Sequence, residues 1–182
     1  NVYNVEDLSS VDVPTGLYDI YPNLKRNTEV SVKFELLTDF LKHIEIDDED
    51  FIDDVIHELA HLVEKNHGAR IYQDQKIVRE FLGKRQRLYH MLRAEGFSVD
   101  AKDFMETEYS RQFDEFLFQE IGYPLLTQLT VGLFLTPYGV TSLPEYFAES
   151  FEYYFLRDSE YVRKTTPECY KKIIDLKETE EG

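Results

Sequence analysis

Near the end of its first third the chain reads His57-Glu58-Leu59-Ala60-His61, an H-E-x-x-H string. On a helix, residues four apart project from one face, so both imidazoles can reach one metal ion. The glutamate between them is then placed to act as general base on a zinc-bound water. At about 100° per residue, Ile52, Val55, Ile56, Leu59, Leu62 and Val63 form one apolar stripe, and His57 and His61 fall on the side away from it. Exposed surface histidines are the plain alternative for so short a string.

A catalytic zinc site normally has three protein ligands and one open position, so a third ligand is required. His43, His67 and His90 each stand alone, and His67 beside Gly68 has the look of a helix end. Glu145-Tyr146-Phe147-Ala148-Glu149 offers two carboxylates on one helical face, which Glu152 extends, while Phe147, Phe151 and Tyr154 line the opposite face. Ser142-Leu143-Pro144-Glu145 also matches an S-x-x-E capping box, in which Glu145 would serve only its own helix. On the residues alone, capping and ligation stand level.

Tyr138-Gly139-Val140-Thr141-Ser142-Leu143-Pro144-Glu145-Tyr146-Phe147-Ala148-Glu149-Ser150-Phe151 resembles the second signature of the anthrax lethal-factor-like zinc peptidases, a group that includes the clostridial Pro-Pro endopeptidases. In that family a tyrosine stands seven residues before the ligating glutamate, which opens an E-[FY]-F-A-E segment. The resemblance implies His57, His61 and Glu145 as ligands of one Zn2+ per chain, Glu58 as general base, Tyr138 as oxyanion donor and Glu149 as a carboxylate supporting the ligands. It extends more weakly to Tyr153-Tyr154-Phe155-Leu156, to Pro167-Glu168-Cys169-Tyr170 and to Val13–Asp19. The arm before His57 is shorter than in the family and the stretch from His61 to Tyr138 is longer, a difference that bears on specificity, because cleft walls are built from such insertions. The implied fold is an α-rich α+β, zincin-like metallopeptidase domain with an H-E-x-x-H helix, a second Glu-bearing helix and a small sheet. The implied activity is hydrolysis of peptide bonds by a toxin-like bacterial effector, secreted or delivered, whose substrates are basic or proline-rich proteins.

The elements that must position these residues can be read in outline. Residues 1–26 are polar and turn-rich and form an arm, with a possible strand at Leu17–Tyr21; residues 27–182 form the rest of a single domain. Thr28–Ile44 has helical spacing, and the acidic run Glu45–Asp54 caps the helix that begins near Phe51 rather than forming a calcium loop, for which it lacks a glycine and regular ligand spacing. Helices are expected at about Gln73–Glu95 and Asp100–Ile121, stopped by Gly96 and Gly122. Another opens at Pro144 and runs to about Leu156, and a last one opens at Pro167 with Thr166 as N-cap.

Composition narrows the function classes. The 182 residues are 42% hydrophobic, enough for one substantial core, and carry 36 acidic against 20 basic side chains, a net charge of -16. Such a surface repels nucleic acid and anionic lipid and favours cationic peptides or metal ions. Cys169 is the only cysteine, so neither an intramolecular disulfide nor a cysteine zinc ribbon is available. No apolar run is long enough to span a bilayer, and no signal-peptide pattern stands at Asn1. Two other readings remain beside the endopeptidase. His57 to His61 also resembles the H-E-L-A-H of metallopeptidase modules that cleave phage repressors, and the fold could serve as an inactive metal-binding interaction or virion-associated module.

Overall fold

A computed structural model describes residues 49–180, so the arm, the possible strand at Leu17–Tyr21, the helix expected at Thr28–Ile44 and His43 lie outside the described residues. Seven α-helices account for most of the described chain: α1 Glu49–Tyr72, α2 Lys76–Ala94, α3 Arg111–Phe116, α4 Tyr123–Thr130, α5 Leu143–Leu156, α6 Ser159–Thr165 and α7 Pro167–Glu180. Short 3-10 turns at Asp103–Met105 and Tyr138–Val140 and a π-turn at Leu117–Ile121 fill the connections.

The expected α+β architecture with a small sheet is corrected: among the described residues no strand forms, and the fold is all-helical. One stretch does alternate as a strand would, Leu129, Val131, Leu133 and Leu135. Gly132 interrupts it at φ +69, a left-handed turn conformation, and the result is one isolated bridge between Val131 and Phe134.

Helix α1 begins in the acidic run, where carboxylates at an N-terminus favour the helix dipole. His67 does not mark its end, because α1 continues through Gly68 to Tyr72. An interior glycine costs a helix about 1 kcal/mol. Beyond it Ile71 is fully buried and the Tyr72 ring packs edge-on to Phe147 at 6.4 Å, and burying one such side chain is worth about 1.5–3 kcal/mol. Burial therefore outweighs propensity.

Helix α2 stops where expected. Phe97 N–H bonds Leu92 O and Gly96 N–H bonds Arg93 O, the paired bonds of a Schellman cap, with Gly96 at φ +92. The helix expected over Asp100–Ile121 is instead broken. Glu106 and Ser110 are extended, and Ser110 then caps α3 by accepting from Phe113 N–H. Asp158 similarly caps α6, which the sequence reading left out, by accepting from Glu160 and Tyr161 N–H. Thr166 precedes α7 as expected, yet its hydroxyl donates to Val162 O and accepts from Ser150 rather than capping a backbone N–H.

The core runs between α1, α2, α5 and α7, with Ile56, Phe81, Leu88, Phe147, Phe151 and Ile173 all buried. Helix α1 lies along α5 as the most extensive helix pair, and this contact positions the site.

Candidate metal centre

Along α1 the stripe expected to be apolar is buried at Ile56, Leu59 and Val63, and Ile52, Val55 and Leu62 pack partly buried against the core. The opposite side is not free surface, because α5 covers it, and His57 and His61 are only 20% and 27% exposed. Their rings stand edge to face, 5.0 Å apart.

Helix α5 meets them with carboxylates. Ser142 caps this helix, its Oγ accepting from Glu145 N–H at 3.3 Å, so half of the S-x-x-E box is made. The Glu145 side chain does not complete the box. Its Oε2 lies 2.9 Å from His57 Nε2 and its Oε1 lies 3.6 Å from His61 Nε2. His57, His61 and Glu145 form a cluster whose ligand atoms all fall within 4.8 Å of one another. Neither His67, half-buried on α1, nor His90, exposed on α2 against Tyr89, belongs to it.

The far side of each imidazole is also held. His57 Nδ1 lies 3.2 Å from Glu152 Oε2, and His61 Nδ1 lies 3.6 Å from Glu64 Oε2. Glu64 in turn accepts from the Tyr72 hydroxyl, and Glu152 Oε1 lies 3.7 Å from Arg157 Nε. A carboxylate behind Nδ1 fixes the N–H there and leaves the Nε2 lone pair facing the cluster, the orientation a metal requires. Two imidazole nitrogens and one carboxylate oxygen suit zinc, so the residues present fit the ion the sequence reading expected.

Without a metal, the same carboxylates favour protonated imidazoles, so an ion would bind by displacing the Nε2 protons. Burial depresses the His57 pKa, but hydrogen bonds and charge from Glu145 and Glu152 outweigh it and raise the value to about 10. Hydrogen bonds to Glu145 and Glu64 raise His61 to about 9 against its burial. Burial would lift Glu145, yet the two histidines hold it down at about 2. With Glu64 and Glu152 behind them, the groups set three carboxylates against two imidazoles, a setting that favours a dication.

Glu58 sits half-buried on α1, next to His57 in the chain. Tyr138 opens the 3-10 turn before α5 and is 37% exposed. Burial and the charge of Glu145 push its phenol up to about 12, which keeps it a proton donor.

Glu149, expected to support the ligands, is placed elsewhere. It is buried beneath the Tyr138 turn and accepts from Thr136 Oγ1, whose oxygen in turn accepts from Tyr138 N–H at 3.1 Å. A β-carbon on Gly139 would come within 2.6 Å of Glu149 Oε2, so glycine is needed for that approach. Burial raises Glu149 to about 7 despite the Thr136 hydrogen bond. The imidazole partners are Glu152, which extends the acidic face of α5, and Glu64, which sequence reasoning missed. Position 64 follows His61 by three residues on the same helix face, and that spacing was the available signal.

The chain matches no protein-family model, no curated protein and no solved structure.

Proposed function

We propose that the chain is a zinc-dependent endopeptidase. The observation that carries this reading is the convergence of His57 Nε2, His61 Nε2 and the Glu145 carboxylate, with each Nδ1 backed by a carboxylate. His57, His61 and Glu145 would hold one zinc ion per chain. When bound there, zinc supplies Lewis-acid polarisation of the scissile carbonyl and acidifies a water. Glu58 takes the proton of the attacking water and delivers it to the leaving amine. Tyr138, kept protonated, donates to the oxygen on which negative charge develops. Glu149 holds the turn that carries this phenol, through Thr136 and the space left by Gly139.

The Glu145 carboxylate beside the two histidines, with Tyr138 seven residues before it in the chain, favours this reading over a repressor-cleaving module or an inactive metal-binding module, neither of which needs that tyrosine. The test measures zinc content and peptide cleavage of wild type and Glu58→Ala. Stoichiometric zinc in both proteins, with cleavage reduced about 10²–10⁴-fold in Glu58→Ala, is expected. A wild type without zinc, or a Glu58→Ala protein that cleaves as well as wild type, rejects it.

A further inference from the structure

Arg85, in the middle of α2, is the largest fully buried side chain among the described residues, 1% exposed. A buried guanidinium is normally matched by a carboxylate. Arg85 makes no ion pair among the described residues, and its Nε has no hydrogen-bond partner there. Its cation is instead enclosed by the rings of Phe113, Phe81 and Phe104, at 4.3, 5.2 and 6.0 Å. Burial lowers its pKa to about 10, against the opposing charges of Asp103 and Glu106, so it stays a cation at neutral pH.

What this guanidinium does bind is backbone. Nη1 donates to Glu106 O at 3.0 Å and to Thr141 O at 3.5 Å, and Nη2 donates to Asp103 O. These carbonyls belong to two segments far apart in the chain, the connection 103–107 and the turn 138–141. From Thr141, which is itself buried, the line runs to Tyr138: Thr141 N–H and Oγ1 both donate to Tyr138 O, at 2.9 and 2.8 Å. From Glu106 it runs to α5. The next residue, Thr107, accepts from Leu143 N–H at 2.8 Å, one of the first-turn donors that a helix cannot satisfy by itself. Glu145 stands two residues further on, its own N–H held by Ser142 Oγ. One side chain thus fastens both the turn that carries the phenol and the loop that caps the helix carrying the third ligand.

An apolar side chain of similar volume would fill this space without desolvating a charge, but it would leave three inward carbonyls without their donors. The planar fork also fixes the directions of its donors together, which a flexible ammonium does not. We infer that Arg85 is a positioning residue for the proposed chemistry: its fork, acting through Thr141, holds the Tyr138 turn in fixed register with the Glu145 end of α5. This rests on the endopeptidase reading, in which the Tyr138 phenol donates to the developing oxyanion. Thr136 and Glu149 hold the turn at Tyr138 N–H, and Thr141 and Arg85 hold it at Tyr138 O. Displacing a catalytic group by about 1 Å can cost about 10²-fold in rate, so a brace on this turn has a kinetic consequence.

The test uses the zinc-loaded chain and one peptide that wild type cleaves, chosen from a randomised synthetic library. Arg85→Lys keeps the charge but loses the fork, and is expected to lower kcat about ten- to hundredfold with KM and zinc content within about twofold of wild type. Thr141→Val removes only the hydroxyl link to Tyr138 O and is expected to lower kcat about tenfold, while Thr141→Ser, which keeps the hydroxyl, recovers most of the rate. Each substitution is repeated in a Tyr138→Phe background, where its effect on kcat is expected to shrink to less than about twofold, because the phenol it positions is gone. Melting temperature shows which variants are folded, and if Arg85→Lys is not, the Thr141 pair decides. A Thr141→Val rate equal to wild type, a loss of equal size in both backgrounds, or a loss in KM or zinc content instead of kcat overturns the positioning role and leaves the endopeptidase reading standing. A wild type that holds zinc and cleaves no library member overturns both.

Discussion

Against one side of α5, α1 sets His57 and His61 over Glu145 and Glu152; against another, α2 sets Glu80 and Lys84 around Tyr146. Both seams bury charge, but the α2 seam strings its groups along a chain through the Tyr146 hydroxyl and out to backbone atoms. Lys84 Nζ donates to the Tyr146 hydroxyl and to Thr165 O, and its cation lies 4.8 Å above the Tyr146 ring. Glu80 spends one oxygen on the Tyr146 hydroxyl and the other on Glu168 N–H, fastening the first turn of α7. Burial there lowers Lys84 to about 8, a cost offset by fixed hydrogen bonds. In the α1 seam the corresponding atoms converge on one point, with both Nε2 atoms aimed at the same carboxylate. Dispersed partners hold a fold together, whereas convergent ligand atoms suit a cation.

This contrast can be broken by substitution. Tyr138→Phe tests the catalytic side most strongly: cleavage is expected to fall about 10²–10³-fold with zinc content unchanged. A loss of zinc along with activity would mean that the phenol serves ligation or folding instead.

Glu149 is next in size. Its carboxyl is neutral in the native state up to about pH 7 but ionises near 4.5 when exposed. Its contribution to stability is therefore complete below pH 4.5 and is lost as pH rises to 7, on the order of 3 kcal/mol. Denaturant unfolding with a chelator present, at pH 5 and pH 8, should show this drop in wild type and a flatter profile in Glu149→Gln. Equal pH dependence in the two proteins would place the titrating group elsewhere.

The smallest effects separate the seams themselves. Glu64→Gln and Glu152→Gln should each weaken zinc binding by about 10–100-fold, because the carboxylate behind Nδ1 orients the ligand and raises its basicity. Lys84→Met should lower stability by about 1–2 kcal/mol and leave zinc affinity within twofold, since it takes a donor from the Thr165 carbonyl and one of two partners from the Tyr146 hydroxyl, neither of which touches the ligands. If Lys84→Met weakens zinc as strongly as Glu152→Gln, the two seams do not divide structure from chemistry.

Where local chemistry decides a feature, it could be read in the sequence. His57, His61 and Glu145 were found from spacing and signature, the stop at Gly96 from glycine, and the start of α5 from Ser142 and Pro144. Features set by distant contacts were not legible. Gly68 signals a helix end by propensity, but the burial of Ile71 and Tyr72 carries α1 past it and brings Tyr72 back to Glu64. The place of Glu149 depends on Thr136 and Gly139, which only the folded turn brings against it. The small sheet came from family likeness and from no alternating run between residues 49 and 180 that survives Gly132.

Zinc K-edge X-ray absorption of the zinc-loaded chain tests the central claim most directly. The account predicts one zinc per chain with two imidazole nitrogens and carboxylate oxygen at about 2.0–2.2 Å, and loss of one imidazole contribution in His61→Ala. An oxygen-only shell that His61→Ala leaves unchanged would contradict it.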